Sequence, residues 1–138
     1  MYFSSLPRDL QETIRGLLKA EQQISIGKST PYNDYVALLD SATSVSASGR
    51  IMLGCGAVCQ ATENVAQGNT REHDRFLDEI SCSCSGDLAY VLFRTGVTIE
   101  KSDGSETPFC WVVTLIFQRI HGQWKLLHRQ NTRSSANT

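Results

Sequence analysis

The sequence predicts an α+β domain with helices packed on one face of a curved antiparallel sheet. Apolar residues recur at three- and four-residue steps through the first part of the chain, whereas the later part alternates with a period of two. Turn signals then cut the alternating part into four long strands. Helices first and antiparallel strands after is the pattern of an α+β fold.

Each element can be justified in turn. "SSLPRDLQETIRGLLKAEQQISIG" carries an apolar stripe of Leu10, Ile14, Leu17, Leu18 and Ile24, with Ser5 suited to cap it, Pro7 to its first turn and Gly27 to its stop. "TPYNDYVALLD" (30–40) reads as a short second helix capped by Thr30, with Pro31 at its first position and Val36, Leu38 and Leu39 facing inward. "SATSVSASG" alternates weakly and reads as a short strand ending at Gly49, followed by a loop through "RIMLG". "CGAVCQATENVAQG" (55–68) reads as a third helix stopped by Gly68. From Glu72 onward a meander is expected, turning at Ser85-Gly86-Asp87, Asp103-Gly104-Ser105 and His121-Gly122-Gln123. One domain over 1–132 and a loose tail over 133–138, "RSSANT", complete the organisation.

At 138 residues the chain is long enough to bury a core without staples. Its 13 basic and 14 acidic side chains leave a net charge of -1, and no Lys/Arg cluster stands out. Such a surface has no strong field for nucleic acid or an anionic membrane, so neither partner is expected. The longest apolar run, "FCWVVTLIF" (109–117), is too short to span a bilayer. The opening "MYFSSLPRDLQ" lacks a cationic start followed by an unbroken apolar run, so a cytoplasmic protein is expected. Five cysteines is an odd number, which suits free thiols in a reducing compartment. Cys55 and Cys59 lie one helical turn apart and Cys82 and Cys84 share a strand face, but neither spacing is a common zinc loop. They are read as small hydrophobes, and neither a metal nor a cofactor is expected.

The ending "TLIFQRIHGQWKLLHR" carries Thr114, Phe117, Arg119, Gly122, Trp124, Lys125, His128 and Arg129. With "SGDLAYV" (85–91) and "LLDSATSVSASG" before it, this stretch resembles the SnoaL-like domains of the nuclear-transport-factor-2-like superfamily. It is also similar to the association domain of calcium/calmodulin-dependent kinase, a non-enzymatic relative. The resemblance implies a cone-shaped, curved antiparallel sheet wrapped around three N-terminal helices, with a pocket at the open end. It implies a homodimer through the outer sheet face as well. Members include ketosteroid isomerases, polyketide cyclases, dehydratases, epoxide hydrolases and proteins that only bind or assemble, so fold alone does not decide function.

Strand alternation sorts the candidate residues. On the last strand Trp124, Leu126, His128 and Gln130 share a face, which is expected to look into the cone because Trp124 and Leu126 are apolar. His128 would then be a pocket acid or base, or a core histidine bonded to a neighbouring strand. On "FCWVVTLIFQR" the family pattern implies that Thr114 faces the interior, leaving Trp111, Val113, Leu115 and Phe117 as an apolar face for a partner sheet. In "HDRFLDEISCSC" Asp78 shares a face with Phe76, Ile80, Cys82 and Cys84, and burial there would raise its pKa into acid–base range. Arg94 could pair with Asp78 or bind an anionic group. Tyr32 and Tyr35 lie on the short helix that rims the pocket in this superfamily, where tyrosines can stack on a flat ligand. Two departures matter. Ser46 falls where the ketosteroid isomerases carry their aspartate base, and Ala20 at or near their helix-one tyrosine, so that chemistry is disfavoured. "HRQNT" puts Gln130 where related chains often place an ionisable group, which makes the pocket more neutral.

Two functions are therefore expected side by side. One is a cofactor-independent isomerase, cyclase or dehydratase in which Asp78 or His128 moves a proton and Tyr32, Tyr35, Arg94, Thr114 and Gln130 hold a small hydrophobic or polycyclic ligand. The other is a ligand-binding or oligomerisation module of the same fold.

Overall fold

The apolar stripe of the first segment winds into α1 (Arg8–Ser25), which buries Leu10, Ile14, Leu17, Ala20 and Ile24 along one face. The computed structural model describes residues 3–25, 28, 30–64 and 71–134. The chain continues as α2 (Tyr32–Tyr35), β1 (Leu38–Val45), β2 (Ile51–Leu53), α3 (Cys55–Glu63), β3 (Arg71–Ser85), β4 (Leu88–Glu100), β5 (Glu106–Ile120) and β6 (Gln123–Ser134). The six strands form one curved, open sheet in the order β2-β1-β6-β5-β4-β3. All neighbours run antiparallel except β1 and β6, which are parallel. The meander turns where expected. At the β5–β6 turn both His121 (φ 51) and Gly122 (φ 77) take the left-handed backbone that a tight hairpin demands.

The core lies between α1 and the concave face of the sheet. Leu10, Ile14 and Leu17 meet Val91, Phe93, Val113, Leu115, Phe117, Trp124 and Leu126 in one buried cluster. Each such side chain contributes about 1.5–3 kcal/mol when fully removed from water. Phe3, edge-on to Phe93 with ring centroids 6.2 Å apart, extends the cluster beneath the start of α1. Cys82 and Cys84 pack against it as part-buried hydrophobes, and all five cysteines are free thiols.

Several local expectations are corrected. Ser5 does not cap α1; its hydroxyl lies 3.3 Å from Cys82 Sγ, and the helix begins after Pro7. The second helix is a single turn with Pro31 as its N-cap, because Val36 is already extended and Leu38 starts a strand. The segment read as a loop contains β2, paired Val45↔Ile51 to Thr43↔Leu53. Arg133 and Ser134 belong to β6 rather than to a tail. The expected stops at Gly27 and Gly68, and the rest of the tail, lie outside the described residues.

The largest correction concerns which way the strands face. On β5 the odd-numbered set Val113, Leu115 and Phe117 is the buried core face, so Trp111 turns inward with it and Thr114 turns outward beside Val112 and Ile116. β6 carries one extra residue: Phe117 pairs with Leu126 but Ile116 pairs with His128, leaving Leu127 as a bulge. A bulge shifts the alternation by one, so side chains beyond it exchange faces. Trp124 and Leu126 point into the core; past the bulge Arg129 and Asn131 take the interior while His128 and Gln130 take the exterior. The same event occurs on β3, where Glu79 pairs with Phe93 and Ser81 with Leu92, leaving Ile80 over. Cys82 and Cys84 therefore face inward, whereas Phe76 and Asp78 lie on the opposite face with Gly96 and Arg94.

Gly96 sits mid-strand for a steric reason. A Cβ placed on it would come within 2.2 Å of the Phe76 ring and 3.0 Å of the Phe109 carbonyl oxygen. Gly96→Val is expected to lower unfolding stability by about 1–3 kcal/mol in urea denaturation, as overpacking does. Unchanged stability would show that the ring does not lie over this glycine.

Candidate functional site

The open end of the cone holds a cleft of about 520 Å3. Its walls come from the end of α1 (Glu21, Ser25), the β1–β2 corner (Ser44, Ser46, Arg50, Met52), the end of α3 (Thr62), the start of β3 (Glu72, Arg75) and the inner faces of β5 and β6 (Trp111, Val113, Arg129, Asn131). A second cleft of about 640 Å3 lies between α1 and the β3 edge, and shares Glu21, Arg75, Thr95 and Arg129 with the first. These four residues form the partition between the two hollows.

Arg129 is the centre of the site. The bulge at Leu127 aims it inward opposite Leu115, among apolar side chains, where an unpaired guanidinium would be costly. Glu21, on the helix face above, meets it: Arg129 Nη1 and Glu21 Oε1 are in direct contact, as a tight ion pair rather than an aligned hydrogen bond. The side chains are only 14% and 13% exposed. Burial alone would lower the Arg129 pKa, but the Glu21 charge and the neighbouring Tyr32 outweigh it and leave the group above its ordinary value. Tyr32 is wholly buried and donates its hydroxyl to Glu21 Oε2 at 3.1 Å. Burial first, and the Glu21 charge second, push the Tyr32 phenol well above its usual range, so it stays a donor.

A second charge pair stands at the mouth, where Arg75 Nη2 lies 3.0 Å from Glu72 Oε2. Each pocket carboxylate is thus oriented by an arginine. Trp111 supplies an aromatic wall, held by stacking on Phe109 at 6.0 Å and 14°. Ser44, buried on β1, and Asn131 add neutral hydrogen-bonding groups. The cleft accordingly combines a flat apolar wall, amide and hydroxyl groups, and two fixed carboxylates, which suits a small planar molecule bearing polar substituents.

The sequence-predicted site residues are dispersed. His128 stands on the outer face, its Nδ1 2.7 Å from Thr43 Oγ1 and its Nε2 3.3 Å from Gln130 Oε1. Gln130 and Thr114 are register partners on that same face. Asp78 is exposed at the rim of the second cleft, and Arg94 lies opposite it across the β3–β4 ladder, with no ion pair between them among the described residues. Tyr35 is exposed at 48%, while Tyr32 lies beneath the cleft as a support for Glu21. Only Asp78 lines either hollow. Ser46 does line the main cleft, but its hydroxyl is engaged with Ser48 Oγ at 2.9 Å and with the Arg50 amide at 3.1 Å. Glu21, Glu72, Arg75, Trp111, Arg129 and Asn131 were missed. Arg129 belongs to the family ending, but straight alternation across Leu127 turns it outward.

Residues 21–132 match the SnoaL-like domain family. No curated protein matches the chain significantly. Among solved structures, a ketosteroid isomerase-like protein from Erwinia carotovora atroseptica superposes with a TM-score of 0.72 at 13% identity, covering 94% of this chain and 99% of that one. A protein of Streptomyces avermitilis, provisionally named a dehydratase of the NTF2-like family, superposes with a TM-score of 0.73 at 17% identity over 93% and 98% of the two chains. The association domain of the C. elegans kinase CaMKII superposes with a TM-score of 0.61 at 15% identity over 89% and 94%. At such identities the likeness is one of fold.

Removing one member of the buried pair should be costly and removing both much less so. Arg129→Met is expected to lose about 3–5 kcal/mol in chemical denaturation, and Glu21→Leu with Arg129→Met to recover most of that. Additive losses in the double variant would show that the two groups do not interact.

Proposed function

The chain belongs to the SnoaL-like family, and on that footing we propose that it is a cofactor-independent catalyst of proton transfer, an isomerase, cyclase or dehydratase of a small planar molecule held in the conical cleft. The observation that carries the reading is the juxtaposition of Trp111 with Glu72 and the Glu21–Arg129 pair around a hollow of about 520 Å3, which is in the range of small-molecule sites. Trp111 takes the stacking role expected of the tyrosines. The ligand's polar edge meets Asn131, Ser44 and Arg129. Glu72 is the proton acceptor, since it is oriented by Arg75, whereas Glu21 is committed to Arg129 and Tyr32. A positioned carboxylate of this kind contributes about 10²–10⁴-fold to a rate. Asp78 and His128, exposed at a rim and turned to the outer face, have no part in this scheme.

A thermal-shift screen with polycyclic ketones and aromatic polyketides, followed by turnover assays on the hits, tests it. Ligands should raise the melting temperature, Trp111→Ala should weaken them at least about tenfold, and Glu72→Gln should bind normally but lose turnover by about 10²-fold or more. Hits that bind equally well to Trp111→Ala, or turnover indifferent to Glu72→Gln, would contradict the assignment.

Assembly through the sheet is a second reading, supported by the apolar character of the outer face. Tyr90 (39% exposed), Leu92, Val112 and Ile116 stand in neighbouring register positions there. We expect a homodimer joined through this face, with Ile116→Lys shifting the light-scattering mass to that of a monomer while leaving the cleft intact. A wild-type monomer at the highest soluble concentration would rule this interface out.

A further inference from the structure

The second cleft, between α1 and the β3 edge, encloses about 640 Å3, a volume in the range of small-molecule pockets. We propose that it binds an amphipathic organic anion, an apolar chain ending in a single carboxylate, which Arg15 and Lys19 hold at the rim. Neither of these residues lines the main cleft, so the proposal does not rest on the catalytic reading.

The floor of the cleft is apolar. Phe93 is buried there, and Leu18 of α1 and Leu77 of β3 pack against the core with part of each side chain open to the hollow. Thr95 beside them already donates its hydroxyl to the Phe76 carbonyl at 2.7 Å. A hydrocarbon chain laid on this surface leaves water without stranding a polar donor beneath it.

The walls are cationic. Four basic side chains line the cleft, Arg15, Lys19, Arg75 and Arg129, against two acidic ones, Glu21 and Asp78. That is an excess of two positive charges in a chain whose net charge is -1. Glu21 is taken up by Arg129 and Tyr32, and Arg75 by Glu72. Arg15 and Lys19 have no such partner: among the described residues neither forms an ion pair, although Glu12 stands three positions from Arg15 on the same helix.

The helix itself gives no reason for this placement. Cations four residues apart repel each other, and α1 carries no basic residue in its last turn, so the two do not complement its dipole. Gln22 continues the row along the same wall with an amide. A carboxylate seated here relieves the repulsion by accepting charge-assisted hydrogen bonds from both cations, while its chain lies on Leu18, Leu77 and Phe93. Asp78 lines the same cleft and opposes a second negative charge, which favours a monocarboxylate over a dicarboxylate or a phosphate.

Calorimetric titration of the full chain with decanoate, uncharged 1,2-decanediol and inorganic phosphate tests this. Decanoate should bind once, at least about tenfold more tightly than either of the others. Arg15→Gln with Lys19→Gln, both at exposed helix positions, should weaken decanoate at least about tenfold, and Asp78→Asn should tighten it by about threefold. Trp111→Ala should leave decanoate binding unchanged, because that ring belongs to the main cleft. Equal binding of decanoate and the diol would show that the cations take no part, and phosphate binding as tight as decanoate would show that the floor takes none. Loss of decanoate in Trp111→Ala would place it in the main cleft. Each of these results overturns the proposal, as does a wild-type dissociation constant for decanoate weaker than about 1 mM.

Discussion

One extra residue in the last strand governs the interior of this protein. Leu127 has no partner on β5, so β6 is in one phase at Trp124 and Leu126 and in the other at Arg129 and Asn131. Before the bulge the strand supplies apolar side chains to the floor of the core. After it, still facing inward, it supplies a guanidinium and an amide to the cleft. The sheet thus changes from packing surface to binding surface within a few residues, with β5 and β6 paired on both sides of the bulge. Bulges beside functional sites re-aim side chains in this way.

An arginine delivered into the interior needs an opposite charge, and this ties the site to the first helix. Glu21 stands near the end of α1, with the stripe from Leu10 to Ile24 holding that helix against the sheet. Tyr32 of α2 completes the group from below. Three separate elements therefore meet through charge and hydrogen bonding at one point. A buried ion pair is a weak source of net stability, because desolvation offsets much of the attraction. Its effect is geometric: once Arg129 is placed, Glu21 and Tyr32 have one arrangement that satisfies them all. The wall between the two hollows is built on that arrangement.

Much of the fold was legible in the chain, because periodicity and turn chemistry report directly on burial. The α1 stripe, the four-strand meander and its three turns all follow from spacing, and the buried Trp124 with its neighbour Leu126 follows from alternation. What escaped has a common physical origin. Both bulge residues, Leu127 and Ile80, are apolar, so the alternating pattern reads smoothly across the point where the backbone slips. The error carried His128 into the cone and placed Asp78 on the face of Cys82 and Cys84. On β5 the cause is different: the family pattern implies an inward Thr114, although Val113, Leu115 and Phe117 are the stronger core set. The parallel pairing of β1 with β6 joins distant parts of the chain and leaves no local signal, whereas β2 pairs locally with β1 but at three residues is too short to show an alternation. Glu21 interrupts the apolar stripe between Leu17 and Ile24, which marks it as inward-facing, but nothing local identifies its partner more than a hundred positions away.

The phase of β6 past Leu127 can be measured directly by nuclear Overhauser contacts of the His128 ring in labelled protein. The imidazole protons should show contacts to the side chains of Ile116 and Thr43, its neighbours on the outer face. Contacts instead to Leu115 and Val113 would mean that the strand keeps a single phase and that Arg129 points to solvent, which would contradict the site as described.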